Sequence, residues 1–179
     1  MKRNRKRQIK YYHFKSLIYY ISICLLFSSC VYYNTFYNAE KSFENATQII
    51  DESPLLKENE IPPQAKKLLD ESISNSYIVL NKYPASEYVD DAYFIIAKSR
   101  FLKSDYSLSV DYLNRLINEF PGSEYIVESK IWKAYSNFRM DNIDLARDEL
   151  SLILEKFELE TDEKLIILKF QAELSLYDG

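Results

Sequence analysis

Tyr83-Pro84-Ala85-Ser86-Glu87-Tyr88 returns 37 residues later as Phe120-Pro121-Gly122-Ser123-Glu124-Tyr125. The echo continues downstream: Ala97 and Phe101 recur as Ala134 and Phe138, Leu113 and Leu116 as Leu150 and Ile153, and Phe120 as Phe157. A fixed period in the thirties is the signature of stacked helical hairpins, each burying one face on its neighbours. A stack of this kind leaves a curved surface free, which suits holding another protein better than transforming a small molecule.

Three- and four-residue steps of apolar side chains outline the helices around that echo. Residues 86–120 form one hairpin, bending near Ser104-Asp105, and 123–157 form the next, bending near Asp141-Asn142. Ser86 and Ser123 follow the prolines and are expected to cap the first helix of each hairpin. Phe94, Ala97 and Phe101, with Ile131, Ala134 and Phe138, mark the inward face of the first helices. Tyr106, Ser109, Leu113 and Leu116, with Ile143, Ala146, Leu150 and Ile153, mark that of the second. Residues 31–83 supply an earlier hairpin whose turn, 51–64, is enlarged and carries Pro54, Pro62 and Pro63, which break helical structure. A closing helix, 162–177, is expected to cover the end of the stack with Leu165, Leu168, Ala172 and Leu176. The fold class is therefore all-α: a right-handed solenoid of about three hairpins plus that closing helix.

Residues 1–29 carry Lys2, Arg3, Arg5, Lys6, Arg7 and Lys10 ahead of an apolar run from Leu17 to Phe27, ending in Ser28-Ser29-Cys30. A basic start, a short apolar core and small residues before a cut form a secretory signal. With cysteine directly after the small pair, the segment resembles a bacterial lipoprotein signal, and that resemblance makes Cys30 the lipidated residue. The expected mature domain is 30–179. Removal of 1–29 takes away seven of the 23 Lys and Arg and none of the 27 Asp and Glu, leaving a net charge of −11. A surface so acidic repels phosphate backbones and anionic head groups, so no nucleic-acid partner is expected, and the lipid makes the membrane attachment. Tyr32, Tyr33, Phe36 and Tyr37 follow Cys30 closely and are candidates for a head-group-level aromatic cluster.

Several chemistries lack their residues in the expected mature chain. The one histidine, His13, and Cys24 lie in the signal, Cys30 is the lipid site, and glycine occurs only at Gly122 and Gly179. Cysteine-histidine and serine-histidine nucleophiles, His/Cys zinc sites, phosphate-cradling loops and intrachain disulfides are thereby excluded. Carboxylate pairs such as Asp90-Asp91 and Asp148-Glu149 suit a solvated face. We expect no catalytic residue, metal or cofactor, and hence no enzyme.

The pattern Asp105-Tyr106-x-x-Ser109 followed by Phe120-Pro121 resembles the tetratricopeptide repeat (TPR). The Tyr-Pro-x-Ser-x-Tyr opening, with Ala92 or Ser129 four residues on, is similar to the lipoproteins of the BamD group. That resemblance covers roughly 36–157 and implies a periplasm-facing outer-membrane lipoprotein that takes part in assembling outer-membrane proteins. BamD-type proteins carry more repeats than the three this chain has room for, and the 51–64 insert is outside their pattern. The alternative is an envelope scaffold linked to peptidoglycan, division or secretion, with no role in barrel insertion. Either way the partners are proteins or peptides of the cell envelope. The repeat map sets Ile95, Ser99 and Leu102 beside Trp132, Ser136 and Arg139 as candidates for the binding groove, with Trp132, the only tryptophan, as its anchor.

Overall fold

A computed structural model of the chain describes residues 34–53 and 60–177. The regular structure among them is entirely helical: α1 (34–51), α2 (Pro63–Lys82), α3 (Val89–Leu102), α4 (Tyr106–Glu119), α5 (Ile126–Arg139), α6 (Ile143–Lys156) and α7 (Thr161–Tyr177). The proline-bearing echoes act as punctuation. Helix α2 ends just before Tyr83-Pro84 and α4 just before Phe120-Pro121, since a proline lacks the amide that a continuing helix needs. In the adjacent-proline pair, Pro63 takes the first position of α2, where its missing N–H costs nothing.

Ser86 and Ser123 cap a turn rather than a helix. Their Oγ atoms accept from the amides of Tyr88 and Tyr125 at 3.2 and 3.3 Å, and α3 and α5 begin only after those tyrosines. The two-residue hydroxyl bond folds the link and aims the tyrosine ring back onto the preceding unit. Tyr88 stacks on Phe36 of α1 at 4.6 Å between centroids, and Tyr125 on Phe94 of α3 at 4.4 Å. One joint is thus made twice, which identifies the α1–α2 hairpin as the same unit with a longer turn.

Successive helices pack antiparallel from α2 through α6 around Phe94, Ala97, Leu113 and Leu116 in one unit and Ile131, Ala134, Leu150 and Ile153 in the next. Fully buried Ala97, Ala134 and Ala146 let the helices approach closely. Helix α3 also lies against α5, and α5 against α7, while no pair among α2, α4 and α6 comes as near. The more tightly spaced odd-numbered row is therefore the inside of the curve. None of the described helices is long and apolar enough to cross a membrane.

The closing helix departs from expectation. Helix α7 buries Ile167, Phe170 and Leu174, and leaves Leu165 and Leu168, each 60% exposed, and Leu176 facing water. The residues that would repeat Pro121 to Tyr125 are Glu158 to Asp162, so the link before α7 has neither the proline stop nor the tyrosine joint. The helix is oriented instead by aromatic packing on α5: Phe170 lies 5.1 Å from Tyr135 and 5.5 Å from Phe138.

Candidate protein-binding face

The inner row carries an aromatic-floored cleft of about 170 Å³ between α1, α3 and the start of α5. Phe36, Phe43 and Phe94 contribute apolar rings, and Glu40, Glu44 and Asp91 contribute carboxylates. At its edge the Lys98 ammonium lies over three rings, 5.0 Å from the centroid of Phe94 and 5.4 Å from those of Phe43 and Trp132. Its charge is matched by Glu128, whose Oε1 lies 3.0 Å away and also accepts from the Trp132 indole N–H at 2.9 Å. Such a cation in an aromatic cage is attracted by the negative ring faces, and partial burial strengthens the effect.

Two tyrosines tie the same face together. The Tyr125 hydroxyl donates to Asp91 Oδ1 at 2.8 Å. Burial raises the Asp91 carboxyl above its usual range, an effect the Tyr125 bond opposes. Further along the face, the Tyr135 hydroxyl donates to Glu173 of α7, and Arg139 Nη1 donates to the other oxygen of that carboxylate at 3.5 Å. Burial, and after it the carboxylate partner, push both phenols upward. On the outer side, burial and then the hydroxyl bond with Tyr77 push Tyr112 up to about 12.

The groove candidates do not all face this surface. Ser99 and Ser136 are buried away from it, and the Ser136 hydroxyl turns back to donate to the Trp132 carbonyl at 2.7 Å; Ile95, largely buried against Phe36, Val79 and Ala92, does line the cleft. The correction has a simple cause. Helices α3 and α5 are covered on several sides, so a small polar side chain on them marks close helix approach rather than exposure. Leu102 is half-buried against the apolar clusters. Arg139 is half-buried over the Tyr106 ring at 5.3 Å. Trp132 reaches the inner face, its ring meeting Phe101 edge-on at 4.7 Å. Of the N-terminal aromatics, Phe36 is core and Tyr37 is 46% exposed; Cys30, Tyr32 and Tyr33 lie outside the described residues, as do 1–33 and 54–59 in general.

Sequence reasoning missed Lys98, Asp91 and Glu128, which organise the face. A signal for the two acids was present, because Asp91 and Glu128 stand at the same place in successive repeats. Among the described residues no cluster of His, Cys, Asp and Glu is arranged to hold a metal ion.

Residues 91–123, spanning α3, α4 and the link into α5, match the tetratricopeptide repeat family. No curated protein matches the chain. Tetratricopeptide repeats generally mediate binding to protein partners, and the inner face of this stack carries the aromatic and charged groups that such binding uses.

Proposed function

We propose that this protein is a lipid-anchored interaction module of the bacterial outer membrane, held through Cys30, which grips a segment of a partner protein on the inner face of its helical stack, as a BamD-like component of outer-membrane protein assembly. The observation that carries the binding reading is the aromatic cleft beside Lys98, Glu128 and Trp132. Buried aromatic anchors beside positioned charges are the usual composition of binding hot spots. The anchoring reading rests on the basic and apolar segment that ends in Ser28-Ser29-Cys30. The resemblance of the repeat opening to the BamD group supports the assembly role.

The test is a crosslinked pull-down of the full chain from its native envelope, with Cys30→Ala and Trp132→Ala variants alongside and the partners identified by mass spectrometry. The expected result is recovery of the barrel-assembly machinery, lost without the lipid site and weakened by Trp132→Ala. Depletion of the protein should then lower the level of many outer-membrane proteins. Recovery of peptidoglycan-linked, division or secretion proteins, with outer-membrane protein levels unchanged, would assign the chain to the envelope-scaffold class.

A further inference from the structure

Outside the inner face, the edge between α5 and α6 departs from its counterpart in the preceding repeat. In the 86–120 unit, Tyr93 packs with Tyr112 at 6.1 Å and with Phe120 at 5.8 Å, filling the edge between α3 and α4. One period later the same three positions are Lys130, Glu149 and Phe157, while Ile96 and Glu119 become Lys133 and Lys156. Two of the three rings are gone, and a cleft of about 230 Å³ opens between α5 and α6.

Its charge is unbalanced. Glu149 is fully engaged, one oxygen 2.7 Å from Lys133 Nζ and the other accepting from Asn137 Nδ2 at 2.8 Å. Among the described residues neither Lys130 nor Lys156 has an ion-pair partner; Lys130 Nζ sits 6.0 Å from the Phe157 ring centroid. The floor, Leu152, Ile153 and Phe157, is apolar. Three ammonium groups and one carboxylate therefore surround a hydrocarbon surface, in a chain whose overall charge is negative.

We propose that this α5–α6 cleft is a second binding site, which takes an acidic side chain flanked by apolar ones on a protein partner. The uncompensated lysines select the carboxylate, and the vacated aromatic positions take the neighbouring apolar groups. A bare phosphate leaves the apolar floor unused. An anionic bilayer is disfavoured because the mature chain's net charge of −11 repels it.

The test uses the full chain, 15N-labelled in neutral detergent micelles, titrated with an acetylated, amidated Leu-Glu-Leu-Phe peptide and its Leu-Gln-Leu-Phe twin. The Glu peptide is expected to shift the amides around Lys130, Lys133 and Lys156, and to bind about tenfold more tightly than the Gln twin, with the advantage shrinking at high salt. The double variant Lys130→Gln/Lys156→Gln should remove that advantage. Lys130→Tyr/Glu149→Tyr, which restores the aromatic filling of the preceding repeat, should abolish binding while the rest of the spectrum stays in place. Equal binding of the two peptides, or shifts centred on Lys98 and Trp132 instead, would overturn the proposal. Lysine-dependent capture by phosphatidylglycerol vesicles without peptide binding would overturn it too, and would assign the cleft to lipid.

Discussion

The Tyr125 hydroxyl bridges two repeats by donating to Asp91 Oδ1 at 2.8 Å, while its ring stacks on Phe94. Burial, the largest influence on Asp91, raises its carboxyl above the ordinary range despite that bond. The folded protein therefore holds this proton to higher pH than the unfolded chain does. Its stabilising effect is complete below the unfolded value, near 4, and is lost as pH rises through the folded one. Asp91→Asn keeps an acceptor for Tyr125 and removes the charge. Its stability relative to wild type should be flat at low pH, turn favourable as pH climbs above about 4, and level off once pH has passed the folded value. Urea melts of both proteins from pH 3.5 to 7 test this, and a pH-independent difference would rule it out.

Ser99 and Ser136 occupy one repeat position with opposite consequences. Ser136 donates to the Trp132 carbonyl, whereas the buried Ser99 hydroxyl has no hydrogen-bond partner among the described residues. A buried unsatisfied hydroxyl costs about 1–3 kcal/mol, and a satisfied one contributes about 0.5–1.5 kcal/mol. Ser99→Ala should accordingly stabilise the protein by about 1 kcal/mol and Ser136→Ala destabilise it by a similar amount. Equal losses in both melts would contradict this. Partner capture should be unchanged by Ser99→Ala, because the side chain does not reach the inner surface.

The contrast between these serines shows what the sequence made legible. The period and most of the core were readable because Phe94, Ala97, Leu113 and Leu116 and their later counterparts pack within or between adjacent units, where spacing alone fixes the face. The phase of the inner surface was not. Helices α3 and α5 are enclosed by neighbours on several sides, so Ile96 and Ser99 are buried while Asp91, Ile95 and Lys98 line the cleft, and no broad polar face separates the two sets. Helix α7 failed differently: apolar residues surround it, and the choice between Leu165-Leu168 and Ile167-Phe170 is made by the rings of Tyr135 and Phe138 on another helix.

The turns between paired helices store a small backbone cost. Ser104 and Asp141, again one period apart, have φ of 63° and 66°, in the left-handed region that costs a side-chain-bearing residue about 1–2 kcal/mol. Ser104→Gly relieves this, less the extra freedom glycine gains in the unfolded chain, and should raise stability by about 0.5–1 kcal/mol. Asp141→Gly should yield less, because Asp141 Oδ1 also accepts from the Tyr177 hydroxyl at 3.2 Å. Thermal melts showing Asp141→Gly as the more stabilising change would mean that the Tyr177 contact has no value in solution.

The orientation of α7 leads to a test at single-residue resolution. Phe170 is fully buried between Tyr135 and Phe138, whereas Leu168, two residues earlier, is 60% exposed. Removing a buried phenylalanine ring costs about 3–5 kcal/mol, and an element that packs chiefly on one neighbouring helix, as α7 does on α5, bears such a loss locally. Phe170→Ala should detach α7, so that its amides exchange rapidly with solvent while those of α3 and α4 keep their protection. Leu168→Ala should alter stability by no more than about 0.5 kcal/mol. Hydrogen exchange followed by mass spectrometry separates the two. Loss of α7 protection in Leu168→Ala but not in Phe170→Ala would place the opposite face of the helix against the stack, and the Tyr135 and Arg139 contacts to Glu173 would fall with it.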